Sequence, residues 1–368
     1  MKLRLFGQDY HPLGLVVTLL IGIAGALVAR QLSLPLPWLL GAAIAVGGTA
    51  LTDFRLAGHK LQFPVRLRDF FVPIIGVMIG GAFTPALVSS IPLWWPTVLA
   101  LFLYVPCAHA ASYVIYSRLG HYDRETAFFS ATPGGLLEAV TLGEEAGGDP
   151  TILTLLQFAR LLLCIIIVPV AFTLFEGVLV GSASGVSVGG PGLPDMTFLD
   201  AGILIICGVA GYLIFKRLKL PAAIIAGPIF VSGLAHLAGL TAAQPPSFLI
   251  ALTQLIVGTT LGVRFVAIER RQALKGLYLA FFSVSSALIL ALLFGLTLYR
   301  FVDEPVKAVV LAYSPGGVSE MSLIALSLQI SVVFVSLHHV ARIVITIFFA
   351  RLGYRLLVRF SGGGKAKE

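Results

Sequence analysis

Twice in this chain a proline and two glycines interrupt an apolar stretch: Thr132-Pro133-Gly134-Gly135-Leu136-Leu137-Glu138 and Ser314-Pro315-Gly316-Gly317-Val318-Ser319-Glu320. Proline has no N–H, and its ring blocks a continuing helix. Glycine admits positive φ and lets another backbone or a ligand approach. A hydroxyl residue stands before each proline, and a glutamate follows three residues after the second glycine. Irregular backbone survives at membrane depth only where protein or water covers it. A chain that breaks this way twice must bury two polar, irregular points inside an apolar body.

Composition shows how apolar that body is: 58% of the residues are hydrophobic and 11% charged, where a soluble domain carries about 25% charged residues. Too little polar surface remains to cover a soluble body, so the fold class is an all-α polytopic membrane protein in a lipid bilayer. Lys2 and Arg4 ahead of an apolar run mimic a signal peptide, but the run from Leu13 to Ala29 is too long for one and reads as the first helix. Apolar segments fall near 12–30, 34–51, 70–89, 93–117, 125–145 and 150–175, then near 197–215, 221–239, 247–266, 274–299, 305–328 and 330–350. Cys107, Cys164 and Cys207 lie in apolar segments without ligand spacing and read as packing residues.

The two halves are a duplication. Gly22-x-Ala24-Gly25, Leu34-Pro35 and Gly41 recur 186 residues later as Gly208-x-Ala210-Gly211, Leu220-Pro221 and Gly227. Gly76, Gly80 and Phe83 recur 182 residues later as Gly258, Gly262 and Phe265, and the Pro-Gly-Gly motif and Ala159-Arg160 recur at the same 182. One offset held over several motifs marks an internal repeat. The organisation is a first membrane repeat at 1–176, a glycine-rich linker at 177–196, and a second repeat at 197–368 with a basic tail. The Gly-x-x-x-Gly pairs Gly76/Gly80 and Gly258/Gly262 serve close helix packing.

Loop charge orients the repeats. Basic residues gather at 52–69, 118–124, 216–219, 269–275 and the C-terminus, while the turns near 90–92 and 240–246 are uncharged. Positive loops stay cytoplasmic. If each Pro-Gly-Gly segment enters and leaves on one side, all five basic segments fall on that face, with both termini cytoplasmic. Each repeat then has five transmembrane helices plus a re-entrant hairpin, and an odd number of crossings makes the repeats inverted. A broken helix that crosses the membrane is the other reading, and Arg30 falls on the outer face in the hairpin scheme.

The residues that carry chemistry repeat as well. Each helix that restarts after a break has free N–H groups, a ready anion site, and Glu138 and Glu320 lie one turn inside it. Arg160 and Arg342 sit about ten residues into apolar segments, near the bilayer midplane, where an arginine is costly unless paired or hydrated. Gln157 and His339 precede them by three residues, on the same helix face. The candidate substrate- or ion-binding set is therefore Thr132, Pro133, Gly134, Gly135, Glu138, Gln157 and Arg160, with Ser314, Pro315, Gly316, Gly317, Glu320, His339 and Arg342. Guanidinium groups suit carboxylate or phosphate partners. The plainer readings are a packing kink and structural Arg160–Glu138 and Arg342–Glu320 ion pairs.

The paired motifs, TPGGLLE and SPGGVSE, resemble the AbrB family of bacterial inner-membrane proteins over essentially the whole chain. Family labels range from regulator of gene expression to ammonia monooxygenase. The five-plus-hairpin arrangement also resembles citrate-type secondary transporters, a fold-level analogy. Three functions follow. A secondary transporter would move a small organic anion by alternating access, coupled to H⁺ or Na⁺. A membrane regulator would act on gene expression indirectly, because no loop or tail is long enough to bind nucleic acid. A monooxygenase would need clustered metal ligands, which the seven histidines do not form in sequence. The expectation is a transporter that is not an enzyme and needs no cofactor or metal; a homo-oligomer stays open.

Overall fold

The computed structural model describes residues 3–176 and 196–360, so the linker, apart from Met196, lies outside the described residues. In chain order the first half contributes α1 (Pro12–Gln31), α2 (Pro37–Ala50), α3 (Arg68–Gly80), α4 (Pro85–Ser90), α5 (Trp95–Val114), α6 (Arg124–Ser130), α7 (Leu136–Glu145) and α8 (Pro150–Glu176). The second half contributes α9 (Phe198–Arg217), α10 (Ala223–Leu237), α11 (Ser247–Val263), α12 (Arg270–Leu298), α13 (Val306–Tyr313), α14 (Val318–Ser327) and α15 (Val332–Phe360). Two small antiparallel hairpins complete it, β1 (Leu3–Leu5) with β2 (Gln8–Tyr10) and β3 (Arg55–Leu56) with β4 (His59–Lys60). Among the described residues seven helical stretches are long and apolar enough to cross a membrane. The protein is an all-α, multi-pass membrane protein.

Three of the ten expected crossings are shorter than the sequence suggests. α2, α3 and α10 have 14, 13 and 15 residues, about 20 Å each at 1.5 Å per residue, against about 30 Å of hydrocarbon core. Packing accounts for this: α2 is largely buried between the longer α1 and α11, and α10 between α9 and α3, so neither need meet lipid along its whole length. The apolar run near 70–89 is also not one helix. It breaks after Gly80, and Thr84 caps α4 by accepting a hydrogen bond from Leu87 N–H at 3.2 Å, so residues 85–90 join the α5 stretch.

The halves interleave rather than standing apart. α1, α2, α3, α9, α10 and α11 pack into one bundle, with α2 against α11 and α10 against α3. α5 to α8 and α12 to α15 form the other, with α8 on α12 and α5 on α15. Local backbone conformation repeats with the sequence. Ser33 and Leu36, in left-handed conformation before α2, are matched by Lys219 and Ala222 before α10, and Gly147 is matched by Gln329.

The glycines of the repeated motif close these packings. A Cβ on Gly41 would lie 2.3 Å from Gly25 O and 2.6 Å from Ala26 Cα, and one on Gly227 would lie 2.1 Å from Gly211 O. Gly258 faces Leu39 O at 2.3 Å in the same sense, and Gly76 faces Ile225 O at 2.9 Å. Backbone cannot yield as a side chain does, and overpacking of this kind costs about 1–3 kcal/mol. Gly41→Ala and Gly227→Ala are each expected to lower stability by about 2–3 kcal/mol. Exposed Gly48, with nothing within 4 Å of its Cβ position, should accept alanine without loss; thermal unfolding in detergent compares the three.

Each Pro-Gly-Gly segment is a helix pair folded back on itself. At the base of the first, Asp149 N–H donates to Thr126 Oγ1 at 2.9 Å, and a Cβ on Gly148 would stand 3.2 Å from Thr126 N. The start of α6 therefore lies beside the end of α7. At the base of the second, Glu304, just before α13, hydrogen-bonds Ser331, just after α14. Burial, and then Asp303, push the Glu304 carboxyl up to about 7, with Ser331 pulling it back.

Candidate functional site

Two long helices hold the hairpin tips through arginines at equivalent positions. On α8, Arg160 Nη1 donates to the carbonyl of Thr132. Gln157 Nε2 reaches three acceptors in the same turn: Phe129 O at 3.0 Å, Ser130 O at 3.2 Å and Thr132 Oγ1 at 3.0 Å. On α15, Arg342 Nη1 donates to the Ser314 carbonyl and to Tyr313 O at 3.4 Å, and Nη2 donates to Gly316 O at 2.7 Å. A proline at the break removes a donor and leaves carbonyls of the preceding turn without helical partners. The guanidinium fork, with five donors and no acceptor, supplies what the broken helices lack.

The tips also reach across to the other half. Gly134 lies against Arg342, Ile343 and Thr346, and Gly135 against Ile347. α14 in turn touches α8. Arg160 and Arg342 are 4% and 1% exposed. They lie within electrostatic reach of one another, with Tyr104 and Cys164 between their fields. Thr132, Pro133, Gly134, Ser314, Pro315 and Gly316 are buried, and Gly135 and Gly317 are partly so.

The ion pairs of the plainer reading are absent among the described residues. Among the described residues no ion pair joins Arg160 to Glu138 or Arg342 to Glu320, and neither glutamate makes a side-chain hydrogen bond. Both arginines turn to backbone carbonyls instead. At each restarting helix the glutamate's own carboxylate folds back toward the glycine that precedes the helix. Glu320 Oε2 lies 2.0 Å from where a Cβ on Gly317 would stand, and Glu138 Oε2 lies 3.3 Å from the Gly135 position. A carboxylate over a helix N-terminus is favourable by about 0.3–1 kcal/mol. The second glycine is needed at the second tip because glutamate fills the Cβ space, not because of its φ. Gly135 is left-handed at φ 64°, while Gly317 is extended at φ −81°. Gly316 is crowded by Met321, whose Cε would be 2.5 Å from a Cβ.

Around the tips several buried polar atoms have no hydrogen-bond partner among the described residues: Arg160 Nε, Arg342 Nε, Gln157 Oε1, Ser130 Oγ, His339 Nε2 and Thr346 Oγ1. His339 shares the Arg342 face, with Nδ1 2.9 Å from Val335 O. His338 points away, with Nε2 2.8 Å from Thr97 Oγ1 on α5. Sequence did not single out Thr346 and took Cys164 only for a packing residue. Each follows its arginine by four residues, one helical turn on, so the rule that selected Gln157 and His339 reaches them too. Tyr104 and Tyr313 carried no such signal; they meet at 5.0 Å through the fold.

A multi-pass membrane protein whose two Pro-Gly-Gly hairpins are clamped by buried arginines is the class these features define. Residues 48–358 match the AbrB family, described as "Transition state regulatory protein AbrB". The chain belongs to that family. It is 22% identical over 362 residues to the "Uncharacterized protein YhjN" of Bacillus subtilis (strain 168), covering 95% of this chain and 94% of that one. It is 25% identical over 282 residues to the "Putative regulator AbrB" of Escherichia coli (strain K12), covering 74% of this chain and 77% of that one.

Proposed function

We propose that the protein is a secondary transporter of the bacterial inner membrane that moves a small organic anion by alternating access, coupled to H⁺ or Na⁺. The observation that carries this reading is the uncompensated charge at the hairpin tips. Two guanidinium groups are buried, no ion pair joins either of them to a carboxylate among the described residues, and both Nε atoms lack partners. A buried, unpaired charge is costly, and an anion held between the tips would offset it for both arginines at once. Glu138 and Glu320, unpaired over the helix N-termini, are the groups to carry a coupling H⁺ or Na⁺.

The topology in this reading is five crossings and one re-entrant hairpin per repeat, inverted, with both termini cytoplasmic. Contacts between basic segments support it. Lys275 Nζ donates to Gly120 O at 2.6 Å, Tyr354 OH donates to Glu125 Oε1 at 3.1 Å, and Arg264 and Arg68 both act on Asp69. These basic segments are neighbours, as the positive-inside rule requires of one cytoplasmic face. The first hairpin is rooted among them. The base of the second, at Glu304 and Ser331, adjoins the uncharged segment near Trp94, which packs on Phe334 at 5.1 Å. A regulatory role, which one relative's name gives to that protein, would run through transported solute or a partner.

The test is anion-dependent stabilisation of the purified protein, followed by counterflow in proteoliposomes. A small carboxylate or phosphate should raise the unfolding temperature and exchange across the bilayer. Arg160→Gln with Arg342→Gln should lose both effects, and Glu138→Gln with Glu320→Gln should uncouple exchange from the ion gradient. Stabilisation by neutral solutes alone, or anion exchange that persists in the arginine variants, contradicts the reading.

A further inference from the structure

A furrow of about 790 Å³ runs along the outside of the first bundle, between α3 and α9, well away from the hairpin tips. Its walls are Phe70, Ile74 and Val77 from α3 and Ile205, Val209 and Leu213 from α9. Phe70, Ile205, Val209 and Leu213 are each more than half exposed. Gly208 forms part of its lining: a Cβ there would meet only Val77 Cγ2 at 3.5 Å and Pro73 Cβ at 3.9 Å. From Ala201 to Leu213 the furrow follows α9 for about 18 Å at 1.5 Å per residue, slightly more than the ~15 Å of one leaflet of a 30 Å core.

The two ends differ. One is lined by Arg66, Asp69 and Tyr212, with Lys216 Nζ 5.3 Å over the Tyr212 ring. Arg68 and Arg264 join Arg66 in acting on Asp69, so cations outnumber the single carboxylate there. The other end is closed by Pro245, Pro246 and Phe248, none of them charged. A long apolar slot with one cationic end is complementary to an amphiphile in one orientation.

We propose that this furrow binds one acyl chain of an anionic phospholipid, with the phosphate at Arg66 and Lys216 and the chain along Gly208. The ligand is a bilayer component rather than a transported solute, and the inference does not depend on the transport reading. It has a consequence for the hairpins all the same. α3 forms one wall of the furrow and also packs against α14 and α15, so a lipid seated there bears on the helix that backs the second hairpin. Basic residues at a membrane surface attract anionic lipids, and an apolar chain gains with its buried area.

The test uses the full chain in detergent, loaded with phosphatidylglycerol or with phosphatidylcholine, and counts retained lipid by native mass spectrometry. The wild type should keep phosphatidylglycerol several-fold better than phosphatidylcholine. Arg66→Gln with Lys216→Gln should bring the two to parity. Gly208→Phe, which fills the slot, should lose both lipids while eluting as a single species. Gly208→Ala, which the 3.5 Å clearance admits, should retain them and so controls for misfolding. Equal retention of the two lipids by the wild type overturns the proposal, as does wild-type retention by Gly208→Phe. A change of oligomeric state in Gly208→Phe, with no lipid in the wild type, would make the furrow a seam between copies and also overturns it.

Discussion

Replacing Arg342 with alanine is expected to destabilise the protein by about 3 kcal/mol and to abolish anion-dependent stabilisation. Two effects compete. Alanine removes a buried cation whose desolvation is costly, which favours the variant. It also strips donors from the carbonyls of Tyr313, Ser314 and Gly316. Each buried acceptor left without a partner costs about 1–3 kcal/mol, and because the helix ends at Tyr313 and restarts only at Val318, no aligned helical N–H substitutes for the lost donor. Three orphaned carbonyls outweigh one relieved cation. Arg342→Lys separates the terms: it keeps the charge, but a single ammonium cannot span carbonyls that the planar fork reaches with two nitrogens. Lysine should therefore recover part of the stability and little of the anion response. Arg160→Ala should follow the same direction more mildly, because Gln157 still holds Phe129 O, Ser130 O and Thr132 Oγ1. Thermal unfolding with and without a small carboxylate reads both quantities. An alanine variant as stable as the wild type would mean the clamp is not what holds the tip.

Much of this architecture was legible because membrane helices write themselves as apolar runs of fixed length, and because the duplication supplied a second copy of each motif. The segment near 274–299 and the helix Arg270–Leu298 are nearly the same stretch. The Gly-x-x-x-Gly pairs sit where helices touch, as their spacing suggests. Less legible were the short helices. α2 and α3 look like spans because hydropathy counts apolar residues and cannot tell a lipid-facing face from a protein-facing one. At the tips, Gln157 and Arg160 were recognisable as neighbours of the first break from helical spacing alone. The partner each arginine takes was not, because the deficit it answers is in backbone carbonyls, which every sequence position carries and none advertises. Sequence placed Glu138 and Glu320 one turn inside helix N-termini that are open to an anion. Whether a glutamate at the third helical position folds back over its own helix depends on space above Gly135 and Gly317, which only the fold sets.

The two hairpins share a motif but not an environment, and this gives the second large expectation. Equivalent positions Leu137 and Ser319 are 73% and 4% exposed. On α7 the exposed set continues through Thr141, Glu144 and Glu145, a polar run suited to water rather than lipid. On α14 the whole run from Val318 to Ala325 is buried, and the helix packs on α3. In the alternating-access cycle proposed above, such asymmetry would be one end state: open on the face where the first hairpin is rooted and closed over the second. With Cys107, Cys164 and Cys207 replaced, Leu137→Cys should react quickly with a membrane-impermeant maleimide from the cytoplasmic side. Ser319→Cys should react only when the opposite conformation is visited, and from the periplasmic side. A minor state populated at 0.1–10% puts that reaction about 10- to 1,000-fold slower. A Cys pair that cross-links α3 to α14 should suppress the Ser319→Cys reaction and leave the Leu137→Cys reaction unchanged, because it locks the closed side alone. Equal rates at the two positions, or labelling of Leu137→Cys only from outside, would show that the exposed face of α7 meets something other than a cytoplasmic cavity.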